Sequence, residues 1–179
     1  MQILRREGVV FESIEAPVDD PSTPPPGDVA AVAMSLARRK AEAVIAAHPS
    51  RCGDSFVVAA DTICRHGSAS VGKADSVAEA RRILAQMMDG EHEVVTAVAV
   101  ARAGVWRSFV DVARVRLEHP GAEALERFLA SGGWRGKAGA YDIEERRAAG
   151  WTIRCEGDED TVGGLPWTRL RATIEGWPR

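Results

Sequence analysis

Lys40 is the residue least expected where it stands. From Val29 to His48 the apolar positions Val29, Val32, Ala33, Leu36, Ala43, Val44 and Ala47 recur at three- and four-residue steps, the spacing of one buried helical face. At about 100° per residue, Leu36, Lys40 and Ala47 fall near the middle of that face, and Arg38 and Glu42 point the opposite way. An ammonium there either snorkels to solvent while its stem packs or projects into a cleft to meet an anion such as a phosphate. Asp61 poses the same question with a carboxylate. It follows the continuous apolar run Phe56-Val57-Val58-Ala59-Ala60, which reads as a short strand buried on both faces and ending at the acid. The carboxylate is then either a structural group bonded to nearby backbone N–H or one that faces a cleft at the strand's end.

Other candidates are weaker taken singly. Lys73, after the glycine-bounded stretch Gly67 to Gly72, reads most simply as a solvated surface lysine. The run Gly136-Lys137-Ala138-Gly139-Ala140-Tyr141 permits close backbone approach to a ligand, or simply forms a tight turn. His66 and His92 have no second histidine at ligand spacing and read as structural or solvated rather than metal-binding. The five tryptophans are scattered, as core and hairpin-face residues are, rather than grouped as a base-stacking platform.

The elements that must position these residues have clear signals. Pro17, Pro21, Pro24, Pro25, Pro26 and Gly27 make Pro17 to Asp28 an exposed loop, and Pro49 stops the helix that follows. Gly67 to Gly72 reads as a loop. Ser76 and Glu79 form an S-x-x-E capping box, opening a helix through Met88 that closes near Gly90. His92 to Arg102 and Val105 to Leu117 read as a long hairpin about an Ala103-Gly104 turn. A helix over Gly121 to Ser131, a strand over Trp151 to Glu156 and a closing helix over Leu165 to Glu175 complete the chain.

Composition bounds the function. With 179 residues, 45% hydrophobic and 27% charged, the chain is of globular type and of a size for one domain or two packed lobes. A net charge of −3 argues against a protein that coats nucleic acid or an anionic membrane. The strongest candidate for a membrane span, Val94 to Ala101, is interrupted by Thr96 and far too short, and the residues after Met1 do not read as an export signal. Cys52, Cys64 and Cys155 are odd in number and widely spaced, which suggests neither a disulfide framework nor a zinc site. The expectation is a cytoplasmic protein with reduced thiols.

Together, Leu36-Ala37-x-x-Lys40-Ala41, Ala60-Asp61-Thr62, Gly72-Lys73, Gly90-x-His92-x-Val94-x-Thr96, Lys137-Ala138-Gly139-Ala140-Tyr141 and Gly164-Leu165-Pro166 form an ordered series across nearly the whole chain. The series resembles the Maf family of nucleotide pyrophosphatases. The resemblance implies an α/β fold of the inosine-triphosphatase-like type, an elongated mixed sheet with flanking helices and a cleft between two lobes. It also implies hydrolysis of nucleoside triphosphates to monophosphate and pyrophosphate with a divalent metal, Mg²⁺ or Mn²⁺. The implied partner is a small-molecule nucleotide, not nucleic acid or a membrane, and a homodimer is compatible with it. Carried over by position, Asp61 is the proton acceptor and a metal ligand, and Lys40 and Lys73 are phosphate-binding cations. Asp20 falls near an acidic position that helps hold the metal. Thr62 and Glu144 fall where the family chooses its base.

Three departures qualify the match. The family's opening strand and Ser-x-Ser-Pro-Arg-Arg loop are not found, so the expectation is a single Maf-like domain over 1–179 without them. Ile3-Leu4 through Gly8 and Phe11 resemble the helix and strand that follow that loop, and Arg5 and Arg6 lie after the Ile-Leu pair rather than before it. The family's Lys-Pro is here Lys73-Ala74, and the Gln of its Ala-Tyr-x-Ile-Gln pattern is Glu144. A carboxylate only accepts hydrogen bonds where an amide also donates. Glu144 thus points toward guanine-type triphosphates, while Ala60-Asp61-Thr62 resembles the pyrimidine-preferring branch. The absent loop also keeps a rival reading, a catalytically impaired nucleotide-binding regulator of septum formation; the retained Asp61, Lys40 and Lys73 favour the enzyme.

Overall fold

The computed structural model describes residues 2–18 and 24–177; Asp20 lies outside the described residues. Two short helices open the chain's sequence of elements around one long one: α1 (Gln2–Arg6), α2 (Val29–Ala47) and α3 (Pro49–Cys52). Then come β1 (Val57–His66), β2 (Ala69–Val71), α4 (Val77–Met87), β3 (Glu91–Arg102) and β4 (Val105–Leu117). α5 (Ala122–Ser131), α6 (Ile143–Ala148), β5 (Ile153–Glu156), α7 (Glu159–Val162) and α8 (Trp167–Glu175) complete it. The five strands form one sheet in the order β2-β1-β3-β4-β5, and every pairing is antiparallel. Helices flank it, so the expected α/β class holds, while the sheet of the described residues is wholly antiparallel rather than the mixed one the resemblance implies. The reason is that β1 to β2 and β3 to β4 reverse through hairpins, and β2 and β3, which run the same way, lie on opposite sides of β1 and do not pair.

Local chemistry accounts for the boundaries. Asp28 caps α2, its side chain accepting from the Ala31 amide at 3.0 Å. Ser76 caps α4 in the same way through the Glu79 amide at 3.2 Å. Ala103 and Gly104 both take positive φ, 48° and 78°, the mirror-image turn that suits the twist of a two-residue hairpin. The stretch after His66 departs from its expected loop. Gly67, at φ +58°, makes a tight turn with Ser68 that folds Ala69–Val71 back on Cys64–His66 as β2. The strand expected from Trp151 begins at Ile153, and the closing helix at Trp167. The segment around Phe11, matched by resemblance to a strand, lies in no strand, whereas the Ile3-Leu4 helix is present as α1.

β3 is the centre. From Val94 to Ala101 every residue is buried, because both faces are covered. Val95, Ala97 and Ala99 face α2, packing with Val29, Ala33, Leu36, Ala37 and Ala41. On the other face, Val94 joins a cluster with Ile83, Leu84, Phe128, Trp134 and Trp151. Val98 and Val100 join a second cluster with Phe109 and Leu170. Thr96, fully buried, stands between the two. The three cysteines are free, and among the described residues no helix is long and apolar enough to cross a membrane.

His92 is also buried in this framework, 1% exposed, with Nε2 2.8 Å from the Tyr141 hydroxyl. Burial pushes its imidazole down to about 4, partly offset by the neighbouring Met87 backbone, and His66 adds to the fall. Between about pH 4 and 6.5 the unfolded chain therefore holds a proton on this ring that the folded one does not. That contribution to stability is fully present above pH 6.5 and is lost as pH falls toward 4, by about 3 kcal/mol over the window. Denaturant titrations at pH 7 and pH 4.5 on the parent and on His92→Gln should show a smaller acid loss in the variant. Equal acid losses would contradict the burial-driven shift.

Candidate active site

Packing of α2 on β1 generates the site. Val57, Ala59, Asp61 and Ile63 lie on the β1 face that α2 covers, and of these only Asp61 is polar. Lys40 sits on the buried stripe of α2, among Leu36, Ala37, Ala41 and Val44. Its Nζ donates to Asp61 Oδ1 at 2.6 Å, with side-chain exposures of 21% and 8%. The anion that explains Lys40 therefore includes the protein's own carboxylate. Desolvating two charges costs several kcal/mol per ion, and hydrocarbon replacements of such pairs are often neutral or stabilising. A pair kept at this position speaks for chemistry more than for stability.

Asp61 does not end its strand, contrary to the reading of its apolar run. β1 is ten residues long and stays in register with β3 from Val57↔Ala101 through Asp61↔Ala97 to Arg65↔Glu93. Beyond the acid, Ile63 and Cys64 are both buried, so the ladder continues to be worth forming. The cleft at a strand's carboxyl end is thus not where this acid lies; it is held in mid-strand under α2.

Alternation along β1 turns Thr62 to the opposite face. Its Oγ1 stands 2.8 Å from Thr96 Oγ1, Thr96 donates to the Thr161 carbonyl at 2.7 Å, and Thr161 donates to Asp111 Oδ2 at 2.5 Å. Arg169 closes the chain on Asp111 Oδ1 at 3.2 Å. Gly164 is fitted against this relay, since a Cβ there would lie 3.4 Å from Thr62 Oγ1. Glu144 is well exposed, its carboxylate 3.8 Å from Arg6. Its neighbour Glu145 is the one held, by Lys137 and by the Asp142 cap of α6. Asp20 lies outside the described residues.

Lys73 is brought in by the β2 hairpin. Cys64 pairs with Val71, so the chain leaving β2 runs back toward the Asp61 end of β1. Past Val71 the pairing with β1 ends, and the chain passes into residues 72–73. There Lys73 bridges Ala138, and the Gly139 amide donates to the Gly72 carbonyl at 3.2 Å. Two motifs far apart in sequence thus form one crossing. Gly139, at φ +67°, approaches β1 so closely that a Cβ would stand 3.0 Å from Cys64 Sγ. Ala140 follows at φ 62°, fully buried; a left-handed alanine costs about 1 to 2 kcal/mol, so the surroundings enforce this turn. The His92–Tyr141 bond beside it joins two positions that no spacing in the sequence links. The shared order of Gly90-x-His92 and Ala140-Tyr141 in the family series was the available signal.

A buried lysine–aspartate pair on one face of β1 and a lysine-bearing crossing packed on the other match the motif series read from the sequence. The chain belongs to the family described as Maf-like protein, whose model matches residues 1–177. Relatives named dTTP/UTP pyrophosphatase include one from Shouchella clausii, 39% identical over 144 residues, covering 80% of this chain and 73% of the relative. Another, from Salinibacter ruber, is 35% identical over 174 residues, covering 96% and 83%. A third, from Nitrobacter winogradskyi, is 33% identical over 180 residues, covering 98% and 86%.

The ion pair changes what a Lys40 variant should do. Packing alone would leave Lys40→Met stable; with Asp61 beneath it, removing one partner of the buried pair should cost about 3 kcal/mol. Lys40→Met combined with Asp61→Asn should recover most of that. Chemical denaturation of the two singles and the double checks it, and additive losses would show that the two side chains are not energetically coupled.

Proposed function

We propose that this chain hydrolyses nucleoside triphosphates to the monophosphate and pyrophosphate, acting on dTTP and UTP as its relatives' names state of them. The observation that carries the reading is the contact between Lys40 and Asp61 inside an otherwise apolar helix–strand interface. Asp61 serves as proton acceptor for a water that attacks the α-phosphorus. As the water oxygen bonds to phosphorus, its proton passes to the carboxylate, the bond to the bridging oxygen breaks, and pyrophosphate departs. Lys40 orients the carboxylate and, with Lys73, meets the negative charge of the phosphate oxygens.

A divalent cation fits this set in one particular mode. Among the described residues no group of three or more His, Cys, Asp or Glu side chains gathers, so no preformed cage is described. Mg²⁺ is commonly held instead by one or two carboxylates together with substrate phosphates and water. Asp61 supplies one hard oxygen donor, and Asp20 is the proposed second. When bound, such an ion neutralises charge on the phosphate oxygens.

Asp61→Asn, although destabilised by loss of its ion pair, should lower turnover of the fraction that remains folded by about 10² to 10⁴, and chelation by EDTA should abolish turnover in the parent until Mg²⁺ is restored. Release of pyrophosphate from dTTP reads both. Near-parental turnover in the folded variant would remove Asp61 from the role.

The base is the finer question. Glu144, exposed and only loosely approached by Arg6, occupies the position where the resemblance implies a base-reading Gln. Thr62 has its hydroxyl engaged with Thr96, and its proposed influence on the base runs through the shape of that face. With Glu144 reading the base, Glu144→Gln should raise the ratio of dTTP to GTP turnover, since an amide can both donate to and accept from a pyrimidine edge. Unmoved ratios across dTTP, UTP and GTP would show that Glu144 does not face the base.

A further inference from the structure

His92 is a buried polar side chain that the proposed chemistry does not use. It lies on β3 opposite Val115, and its ring meets Tyr141 edge to face, with centroids 5.7 Å apart at 86°. The hydrogen bond between them is directional. Burial holds the imidazole neutral and pushes the Tyr141 hydroxyl well above its ordinary value. Both groups are then neutral, and the tautomer sets the direction: with the ring's other N–H turned to the Met87 backbone, Nε2 accepts and Tyr141 donates. Nδ1 makes no well-formed hydrogen bond, its nearest polar neighbour being the Met87 backbone, so the well-formed bond of the ring is the one to Tyr141.

What Tyr141 anchors is the turn immediately before it. Gly139 and Ala140 both hold positive φ, a conformation that alanine leaves readily unless its neighbours fix it. On one side the turn is tied to Gly72 and Lys73 by the Gly139 amide and the Ala138 bridge. On the other, Tyr141 is tied to His92 in the central strand. Residues 72–73 are reached from β3 through this path: His92, Tyr141, the left-handed turn, Ala138, Lys73.

We propose that His92 is a positioning residue for triphosphate binding: by accepting the Tyr141 hydroxyl it fixes the Gly139–Ala140 turn against Gly72 and so sets where the Lys73 ammonium stands. This rests on the reading of Lys73 as a phosphate-binding cation. Its effect is on ground-state affinity, because it acts on a phosphate contact and not on the proton acceptor.

The experiment compares Tyr141→Phe, His92→Leu and His92→Gln with the parent, each in the full chain and checked for folding by circular dichroism. Binding of α,β-imido-dTTP with Mg²⁺ is measured by calorimetry, and exchange of the Gly139 amide by NMR. Tyr141→Phe and His92→Leu should weaken binding about tenfold and speed Gly139 exchange; His92→Gln, whose amide oxygen can accept, should restore both to within about threefold of the parent. In a Lys73→Met background, His92→Leu should weaken binding no further. Parental affinity in the folded Tyr141→Phe overturns the proposal, as does weakened binding with unchanged Gly139 exchange, or a full tenfold loss that persists without Lys73. A parent that binds no triphosphate analogue overturns the pyrophosphatase reading itself, which is a different result from a parent that binds and variants that bind equally.

Discussion

The contact between Lys40 and Asp61 is the constraint around which the rest of the molecule is arranged. Two opposite charges are set between a helix and a strand that otherwise meet through alanine, valine, leucine and isoleucine. Neither charge could be kept there alone, because an uncompensated ion in such surroundings costs several kcal/mol. The pair fixes which turn of α2 lies over which residue of β1. It also leaves a carboxylate whose orientation is set before any substrate arrives, which is what a group that must take a proton in one direction needs.

The second organising feature is the crossing of Gly72–Lys73 with Ala138–Gly139. Small residues make it possible, since Gly139 comes within close contact of Cys64 on β1. A strained alanine, a buried tyrosine and a buried histidine hold it in place. On the same far face of the sheet, the relay from Thr62 through Thr96 and Thr161 to Asp111 ties β1 to α7 and α8. The strand that carries Asp61 is thereby gripped from both faces: by an ion pair under α2 and by hydroxyl groups on the other side. Rigidity at that strand is the structural property that positioning of a reactive carboxylate requires.

Much of this was legible in the residues. The 3.6-residue pattern from Val29 located α2 and singled out Lys40 as anomalous, and the capping box at Ser76 and the Ala103-Gly104 turn set boundaries that the structure keeps to within a residue or two. Asp61 was misplaced along its strand because an apolar run ends at the first polar residue, whereas strand pairing ends where partners end; β3 offers partners as far as Glu93. β2 was missed because three residues beside Gly67 and Ser68 carry no alternation long enough to see. The acid's cation partner could not be read at all, since nothing in spacing pairs position 40 with position 61. That pairing is a product of how α2 lies across the sheet, as the Lys73 bridge to Ala138 is a product of the β2 hairpin.

The most direct measurement is a crystal structure of the chain with α,β-imido-dTTP and Mg²⁺. The account predicts the α-phosphorus beside Asp61 with one water between them, about 3 Å from the carboxylate, and Lys40 and Lys73 both directed at phosphate oxygens. A nucleotide bound elsewhere, with the contact between Lys40 and Asp61 remote from every phosphate, would contradict it.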